Sequence, residues 1–121
     1  DSYVKYGRQR FLTAPLMKWM FGKYVSDPAQ RGNDLMSPVR ASAERLRGLP
    51  ATLIVVAEND ILRDEGEAMG RRLDEAGVEV TTVRFNGVVH DWGMLNGFAA
   101  LHPTRTLIRL VGSVLRDYLE K

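Results

Sequence analysis

The chain has 121 residues, of which 45% are hydrophobic and 26% charged, a composition typical of one globular domain and not of a disordered chain. Lysine and arginine exceed aspartate and glutamate by only two charges, 17 against 15, and no basic cluster is interleaved with aromatic residues, so we expect no nucleic-acid partner. Cysteine is absent, which excludes disulfides and thiolate metal sites and fits a reducing, cytoplasmic location.

The N-terminal residues 1–5 have none of the features of a signal peptide, and no starting methionine precedes them. We therefore expect a processed chain or a segment cut from a longer one. No apolar run approaches the roughly 20 residues that cross a bilayer, so we expect no membrane span.

The first predicted element is a helix from about Thr13 to Val25, with Thr13 as N-cap and Pro15 in the first turn. Apolar residues recur in it at helical spacing and also on a second side. They are Leu16, Met17, Met20, Phe21 and Tyr24 in the main stripe, with Trp19 outside it. This pattern indicates either a deeply packed helix or the wall of an apolar pocket, and we favour packing.

A polar loop follows from Asp27 to Pro38, and then a short predicted helix from Ser42 to Arg47. The next run, residues 52–57, is continuously apolar and rich in β-branched residues, which is typical of a strand covered on both faces in a parallel sheet. A helix is predicted at 64–76, ended by Gly77, and a second strand at 79–85. This strand-helix-strand unit implies a right-handed parallel crossover.

The last predicted element is a helix from about Thr104 to Glu120, with Pro103 at its start. Its apolar stripe, expected in the core, consists of Leu107, Leu110, Val111, Val114, Leu115 and Tyr118. Two parallel strands make a poor independent sheet. We therefore expect either part of a larger fold or a sheet completed by association, such as a homo-oligomer formed through strand edges.

Two chemically interesting side chains follow the two predicted strands. Asp60 comes three residues after the first strand, and His90 comes five residues after the second. In a parallel sheet the carboxyl ends of neighbouring strands lie side by side. A carboxylate there can accept the Nδ1–H of an imidazole and leave Nε2 free to take a proton from a nucleophile.

The segments around these residues resemble the hormone-sensitive-lipase-like esterases, which are α/β-hydrolases. Residues 53–66, with Ala57-Glu58-Asn59-Asp60 at the strand end and Asp64-Glu65-Gly66 opening the helix, resemble the strand and D-x-L-x-D-E-G segment of that family. Residues 87–92 resemble its G-x-x-H-G-F loop, and the stretches 11–24, 27–28 and 37–38 resemble the region upstream of the acid. The resemblance implies that Asp60 is the triad acid and His90 the general base, in the α/β-hydrolase order of serine, acid and histidine.

Two positions depart from the family pattern. Asn86 replaces the usual proline before the glycine, and Asp91-Trp92 replaces Gly-Phe after the histidine. Asp91 places a negative charge next to the base, where it can favour the protonated form or compete for the proton. The departures leave the assignment of His90 in place but change its surroundings.

The nucleophile and the oxyanion loop of an esterase are absent from this sequence. It contains no G-x-S-x-G and no HGGG-type segment, both of which lie upstream of the matched region in the family. Asp60 and His90 alone cannot run acyl transfer. We therefore interpret residues 1–121 as the C-terminal portion of an α/β-hydrolase domain without its nucleophile half.

Other residues compete for the roles of acid and base. Glu58 lies too close to the strand end to reach His90 easily, and Asp64 is better placed to cap the following helix or stabilise its dipole. His102, the other histidine, is expected to lie exposed at the start of the last helix with no site role. A loop histidine satisfied by the backbone is the alternative for His90.

The leading hypothesis is a carboxylic ester hydrolase of the serine type, inactive as this chain alone and acting on a small-molecule ester when complete. No metal or organic cofactor is required for that chemistry. In related esterases the helix that corresponds to Trp19, Met20 and Phe21 lies near the acyl-binding region, so these three are candidate substrate-binding residues. The alternatives are a non-catalytic association module that uses exposed strand edges, and an amide-hydrolysing or acyl-transfer enzyme on the same scaffold.

Overall fold

A computed structural model describes residues 1–8 and 10–120. Five α-helices and two strands occur within these ranges, together with short 3-10 helices at Pro28–Gly32, Pro38–Arg40 and Asn96–Phe98. In chain order the elements are α1 (Ser2–Tyr6), α2 (Ala14–Tyr24), α3 (Ala43–Leu46), β1 (Thr52–Asn59), α4 (Arg63–Glu75), β2 (Val80–Val89) and α5 (His102–Leu119). No helix in the described ranges combines the length and the apolar character needed to cross a bilayer.

The two strands pair in parallel, as predicted, with Thr52 opposite Val80 and Ala57 opposite Phe85. Helix α4 connects them and packs against both. Both strands are longer than predicted, since β1 runs on to Asn59 and β2 to Val89. The prediction that residues 86–89 form a loop was therefore wrong, because pairing resumes beyond an irregularity in the ladder.

That irregularity is a bulge in β2. After the pair Ala57–Phe85 the next pair is Asn59–Val89, so one residue of β1, Glu58, lies opposite three residues of β2. The middle one of the three, Gly87, has a φ of +75°, a conformation that glycine adopts without steric penalty. The bulge bends β2 just before His90.

One core cluster lies between α4 and the region that precedes β1. Its buried members are Ala41, Leu46, Leu73, Ala76 and Val78. Helix α4 approaches the sheet closely at Gly70, where a Cβ atom would lie 2.2 Å from Oγ1 of Thr82. Helix α4 turns its apolar side toward this cluster, with Leu73 and Ala76 buried and Met69 packed against it.

A second cluster lies at the carboxyl ends of the strands, where Ala57, Val88 and Trp92 are buried and Leu107 of α5 packs against them. The prediction that the whole stripe of α5 is core was wrong. Leu115 is 53% exposed and Tyr118 40% exposed, and Thr104 is the one buried residue of the helix. A two-stranded sheet is about 10 Å wide, roughly one helix diameter, so it covers α5 on one side only and leaves the apolar residues on its other sides exposed.

Helix α2 begins as predicted, with the Thr13 side chain accepting the N–H of Leu16 at 3.3 Å. The interpretation as a deeply packed helix was wrong, because α2 contains no buried residue and Trp19 is 62% exposed. No strand or helix among the described residues covers that side of α2. Only its inner side, with Met17 and Phe21, faces the rest of the chain across a cavity.

Candidate active site

The carboxyl ends of β1 and β2 bring Asp60 and His90 together. Asn59 and Val89 are paired across the two strands, and each is followed directly by one of the two residues. Nδ1 of His90 lies 2.8 Å from Oδ2 of Asp60, within hydrogen-bond distance. The side chains are 25% and 10% exposed, respectively, so the pair is shielded from most of the solvent but is still open at the imidazole.

The Asp60 carboxylate is held by its own backbone turn. Its Oδ1 accepts the N–H of Leu62 at 2.9 Å, and its main-chain carbonyl accepts the N–H of Arg63 at 3.3 Å. Ile61, which follows it, is fully buried and anchors the turn. One carboxylate oxygen is thus fixed to the backbone while the other faces His90, which orients the imidazole.

The second nitrogen of His90 faces another carboxylate. Oδ1 of Asp91 lies 3.3 Å from Nε2 of His90. Asp91 has a φ of +57°, a left-handed conformation that is unfavourable for most residues with a Cβ atom. Asp91, which stands where the family pattern has a glycine, therefore adopts a backbone conformation that suits glycine. It also contacts Nε2 of His90, the nitrogen that a nucleophile would approach.

The competing acids have other partners. Glu58 accepts the N–H of Gly87 at 2.7 Å through its side chain. Asp64 accepts the backbone N–H of Ser2 at 2.7 Å and contacts the Arg63 guanidinium at 2.8 Å. The Ser2 N–H, together with Arg63, holds the pKa of the Asp64 carboxyl well below its usual range.

Helix α1 closes one side of the site, and sequence reasoning missed it. Five residues are too few to show helical periodicity, so tertiary contacts provide the only signal. Ser2 donates its hydroxyl to the carbonyl of Ile61 at 2.6 Å, and the Tyr6 ring lies under the Arg63 guanidinium, 5.2 Å from its centroid. Tyr3 of this helix faces the cavity beside the acid, and burial together with the Glu65 and Asp60 carboxylates raises its pKa to about 12.

A cavity of about 1130 Å³ opens in front of the pair. Its wall includes Asp60 and His90 at one side and Met17 and Phe21 of α2 at the other. Of the three candidate substrate-binding residues, only Phe21 lines it, since Trp19 and Met20 project from the outer side of α2 and are 62% and 46% exposed. His102 lies exposed at the start of α5, as predicted.

The described residues contain no group of three histidine, aspartate or glutamate side chains arranged to hold a metal ion. Other parts of the cavity wall carry Tyr3, Ser37, Glu65 and three cations, Lys18, Arg31 and Arg40. The polar groups at the pair itself are the imidazole and the Asp60 and Asp91 carboxylates. Such a set can accept, hold and return a proton. It lacks the hydroxyl nucleophile and the oxyanion donors that acyl transfer needs.

The sequence profile of the alpha/beta hydrolase fold family matches residues 1–94. The chain belongs to the alpha/beta hydrolase fold family. An arylesterase of Saccharolobus solfataricus is 37% identical over 94 residues, which cover 78% of this chain and 28% of that protein. An ethyl acetate hydrolase of Pseudomonas putida is 36% identical over 91 residues, covering 75% of this chain and 28% of the hydrolase.

Solved esterase structures agree closely with the fold of this α/β-hydrolase chain. The crystal structure of a thermostable esterase from Pseudomonas putida superposes with a TM-score of 0.95 at 44% identity, over 98% of this chain and 37% of that one. The resemblance to α/β-hydrolase esterases and the predicted fold class are confirmed. The chain spans less than a third of the length of the two curated relatives.

Proposed function

We propose that this chain supplies the acid and the base of a serine carboxylic ester hydrolase. The observation that carries the proposal is the 2.8 Å contact between Nδ1 of His90 and Oδ2 of Asp60 at the ends of two paired parallel strands. Because Nδ1 is engaged by Asp60, the ring nitrogen left for proton transfer is Nε2, which Asp91 contacts at 3.3 Å. The similarity to an arylesterase and an ethyl acetate hydrolase supports ester hydrolysis in particular.

In the proposed reaction a serine from polypeptide outside these 121 residues attacks the ester carbonyl carbon. His90 accepts the hydroxyl proton at Nε2 and then passes it to the leaving alcohol as the carbon–oxygen bond breaks. A water molecule then attacks the acyl-enzyme with the same base, which releases the acid and restores the serine. Asp60 orients the imidazole and stabilises its charged form throughout.

The substrate proposal is a small-molecule ester whose acyl part lies in the cavity between His90 and α2. Phe21 is the member of the aromatic and methionine cluster that lines this cavity, so we assign it to acyl contact. A substrate-binding role for Trp19 and Met20 stays a prediction. Their side chains project from the outer side of α2 and do not line the cavity. A cytoplasmic location likewise stays a prediction.

The test is ester turnover by the full-length protein that contains this chain. His90→Ala is expected to lower kcat for p-nitrophenyl acetate by roughly 10⁴-fold or more, since the nucleophile then has no base. Asp60→Asn is expected to lower kcat substantially while the fold is retained, because the imidazole loses its orienting acceptor. Circular dichroism of each variant checks folding.

His102→Ala is the matched control, because it removes the other histidine, which is exposed on α5. It should leave turnover unchanged. Wild-type turnover in His90→Ala would refute the base assignment. Ester turnover by the 121-residue chain alone that a serine-directed phosphonate inhibits would refute the interpretation that this chain lacks the nucleophile. Hydrolysis of p-nitroacetanilide with no ester turnover would favour the amide-hydrolysing alternative.

Association through strand edges is a second candidate, because each of the two strands has only one strand neighbour among the described residues. Large exposed apolar side chains also favour association. Among them are Trp19, Ile108 and Leu119, which are 62%, 61% and 80% exposed. Light scattering of the isolated chain over a range of concentrations tests this. A compact monomer at every concentration would argue against association.

A further inference from the structure

Glu58 occupies a special place in the sheet. It is the single β1 residue opposite the three bulged residues of β2, and its Oε2 accepts the N–H of the middle one, Gly87, at 2.7 Å. The donor and acceptor are 29 positions apart in sequence, so the contact links the two strands and not a local turn. A backbone N–H bound to an ionised carboxylate is one of the stronger hydrogen-bond types in proteins.

The backbone of Glu58 is anchored from the other side. Its carbonyl accepts Nη1 of Arg63 at 3.2 Å, and Arg63 is buried with only 9% of its surface exposed. Glu58 thus connects the start of α4, through its main chain, to the bulge of β2, through its side chain. This connection restricts how far the two elements can move apart.

The bulge ends directly at the base. From Gly87 the chain passes through Val88, which is buried in the second core cluster, to Val89, which pairs with Asn59, and then to His90. Any change in the bulge would turn Val89 relative to Asn59. The imidazole would then move away from Asp60, since each side chain follows its strand end directly.

We propose that Glu58 is a positioning residue: its carboxylate sets the shape of the β2 bulge and so holds His90 against Asp60. The proposal rests on the proposed function for its kinetic consequence, although the positioning itself concerns two side chains of this chain. This role differs from that of the triad acid, for which Glu58 was a candidate on sequence alone.

The experiment compares three variants of the full-length protein. Glu58→Met keeps the length of the side chain and removes the acceptor, whereas Glu58→Gln keeps a neutral acceptor oxygen at the same place. Glu67→Ala is the matched control, since it removes a carboxylate of α4 whose partner on β2, Nε of Arg84 at 2.7 Å, lies in the regularly paired part of the strand before the bulge. Three measurements are made: ester kinetics, giving kcat and KM for p-nitrophenyl acetate; hydrogen exchange of the Gly87 amide; and the downfield Nδ1–H resonance of His90.

In Glu58→Met we expect the Gly87 amide to lose protection, the His90 Nδ1–H resonance to weaken, and kcat to fall about 10- to 100-fold with KM nearly unchanged. Glu58→Gln should be clearly less impaired than Glu58→Met, because it retains an acceptor although the hydrogen bond loses the contribution of the charge. Glu67→Ala should behave as wild type in all three measurements.

Two outcomes would overturn the proposal. One is a Glu58→Met protein with an unprotected Gly87 amide but an unchanged His90 resonance, because the bulge would then not govern the base. The other is a Glu58→Gln protein as impaired as Glu58→Met, because the charge and not the hydrogen bond would then matter. If the wild-type protein lacks ester turnover, the proposed function fails, whereas the exchange and resonance measurements still decide the positioning role.

Discussion

At the scale of single residues, the surroundings of His90 distinguish this chain from the pattern of its family. One ring nitrogen meets the expected carboxylate, and the other meets Asp91 at 3.3 Å. The resemblance to the family pattern implies that Asp91 stands in place of a glycine, but it does not imply which nitrogen Asp91 contacts. That contact depends on the left-handed backbone at position 91, which directs the carboxylate back toward the ring.

Asp91→Gly is expected to affect stability and activity in the same direction. Glycine adopts the φ of +57° found here without steric penalty, so the variant should be more stable by about 0.5–1 kcal/mol. Removal of the carboxylate also clears Nε2, so under the proposed function kcat/KM of the full-length protein should rise several-fold. Urea unfolding and p-nitrophenyl acetate kinetics measure the two effects.

Asp91→Asn separates the effect on stability from the effect on activity, because asparagine tolerates the left-handed conformation but carries no charge. It should leave stability close to that of the original chain. If Asp91→Gly were more stable yet turned over ester more slowly, the carboxylate would be a contributor to catalysis and not an obstruction.

At the scale of elements, the strand-helix-strand unit was predictable because its signals are local. The β-branched run of β1 and the buried stripe of α4 appear within short windows of sequence. The bulge of β2 was not predictable, since it depends on Glu58 and on the register between two strands that are distant in sequence. The close approach of α4 to β2 at Gly70 likewise requires the folded geometry.

Gly70→Ala tests this approach. A Cβ atom at position 70 would lie 2.2 Å from Oγ1 of Thr82, so the helix or the threonine must shift. We expect a loss of about 1–3 kcal/mol of stability from overpacking, despite the better helix propensity of alanine. Urea unfolding followed by circular dichroism gives the value.

Gly112→Ala in α5 is the matched control, because a Cβ atom there would meet no atom within 4 Å. It should be stabilising by about 0.5–1 kcal/mol through helix propensity alone. Combining Gly70→Ala with Thr82→Ala should recover part of the loss. Equal destabilisation by both glycine substitutions would show that packing against Thr82 is not the cause.

At the scale of the whole molecule, α1 is joined to the strand ends by a polar network. Asp64 receives the N–H of Ser2, 62 positions away in sequence, and contacts Arg63, which lies over the Tyr6 ring. These bonds keep the pKa of Asp64 below its usual range, with the Ser2 N–H as the largest cause. Because the pKa is lower in the folded state, the carboxylate stabilises the fold above its unfolded pKa of about 3.9, and this contribution is lost as pH falls further.

Asp64→Asn is therefore expected to lower the free energy of unfolding at pH 7 by about 1 kcal/mol, a modest value because part of the side chain is exposed to solvent. The difference from the original chain should shrink as pH falls below about 4. Urea unfolding at a series of pH values measures it. Asp74→Asn, an exposed change on α4, should show no such pH dependence, and an Asp64→Asn difference as large at pH 2 as at pH 7 would contradict the explanation.

The family, the parallel strand-helix-strand unit and the positions of Asp60 and His90 beyond the two strands were predictable from the sequence, because they depend on short motifs and local periodicity. The folded structure was needed to reveal the bulge held by Glu58, the docking of α1, the contact of Asp91 with Nε2 and the exposure of the outer faces of α2 and α5. The physical reason is the same in each case. A hydrogen bond between distant positions, or the covering of an apolar face, depends on which elements pack together. The residue pattern of a single segment does not indicate that packing.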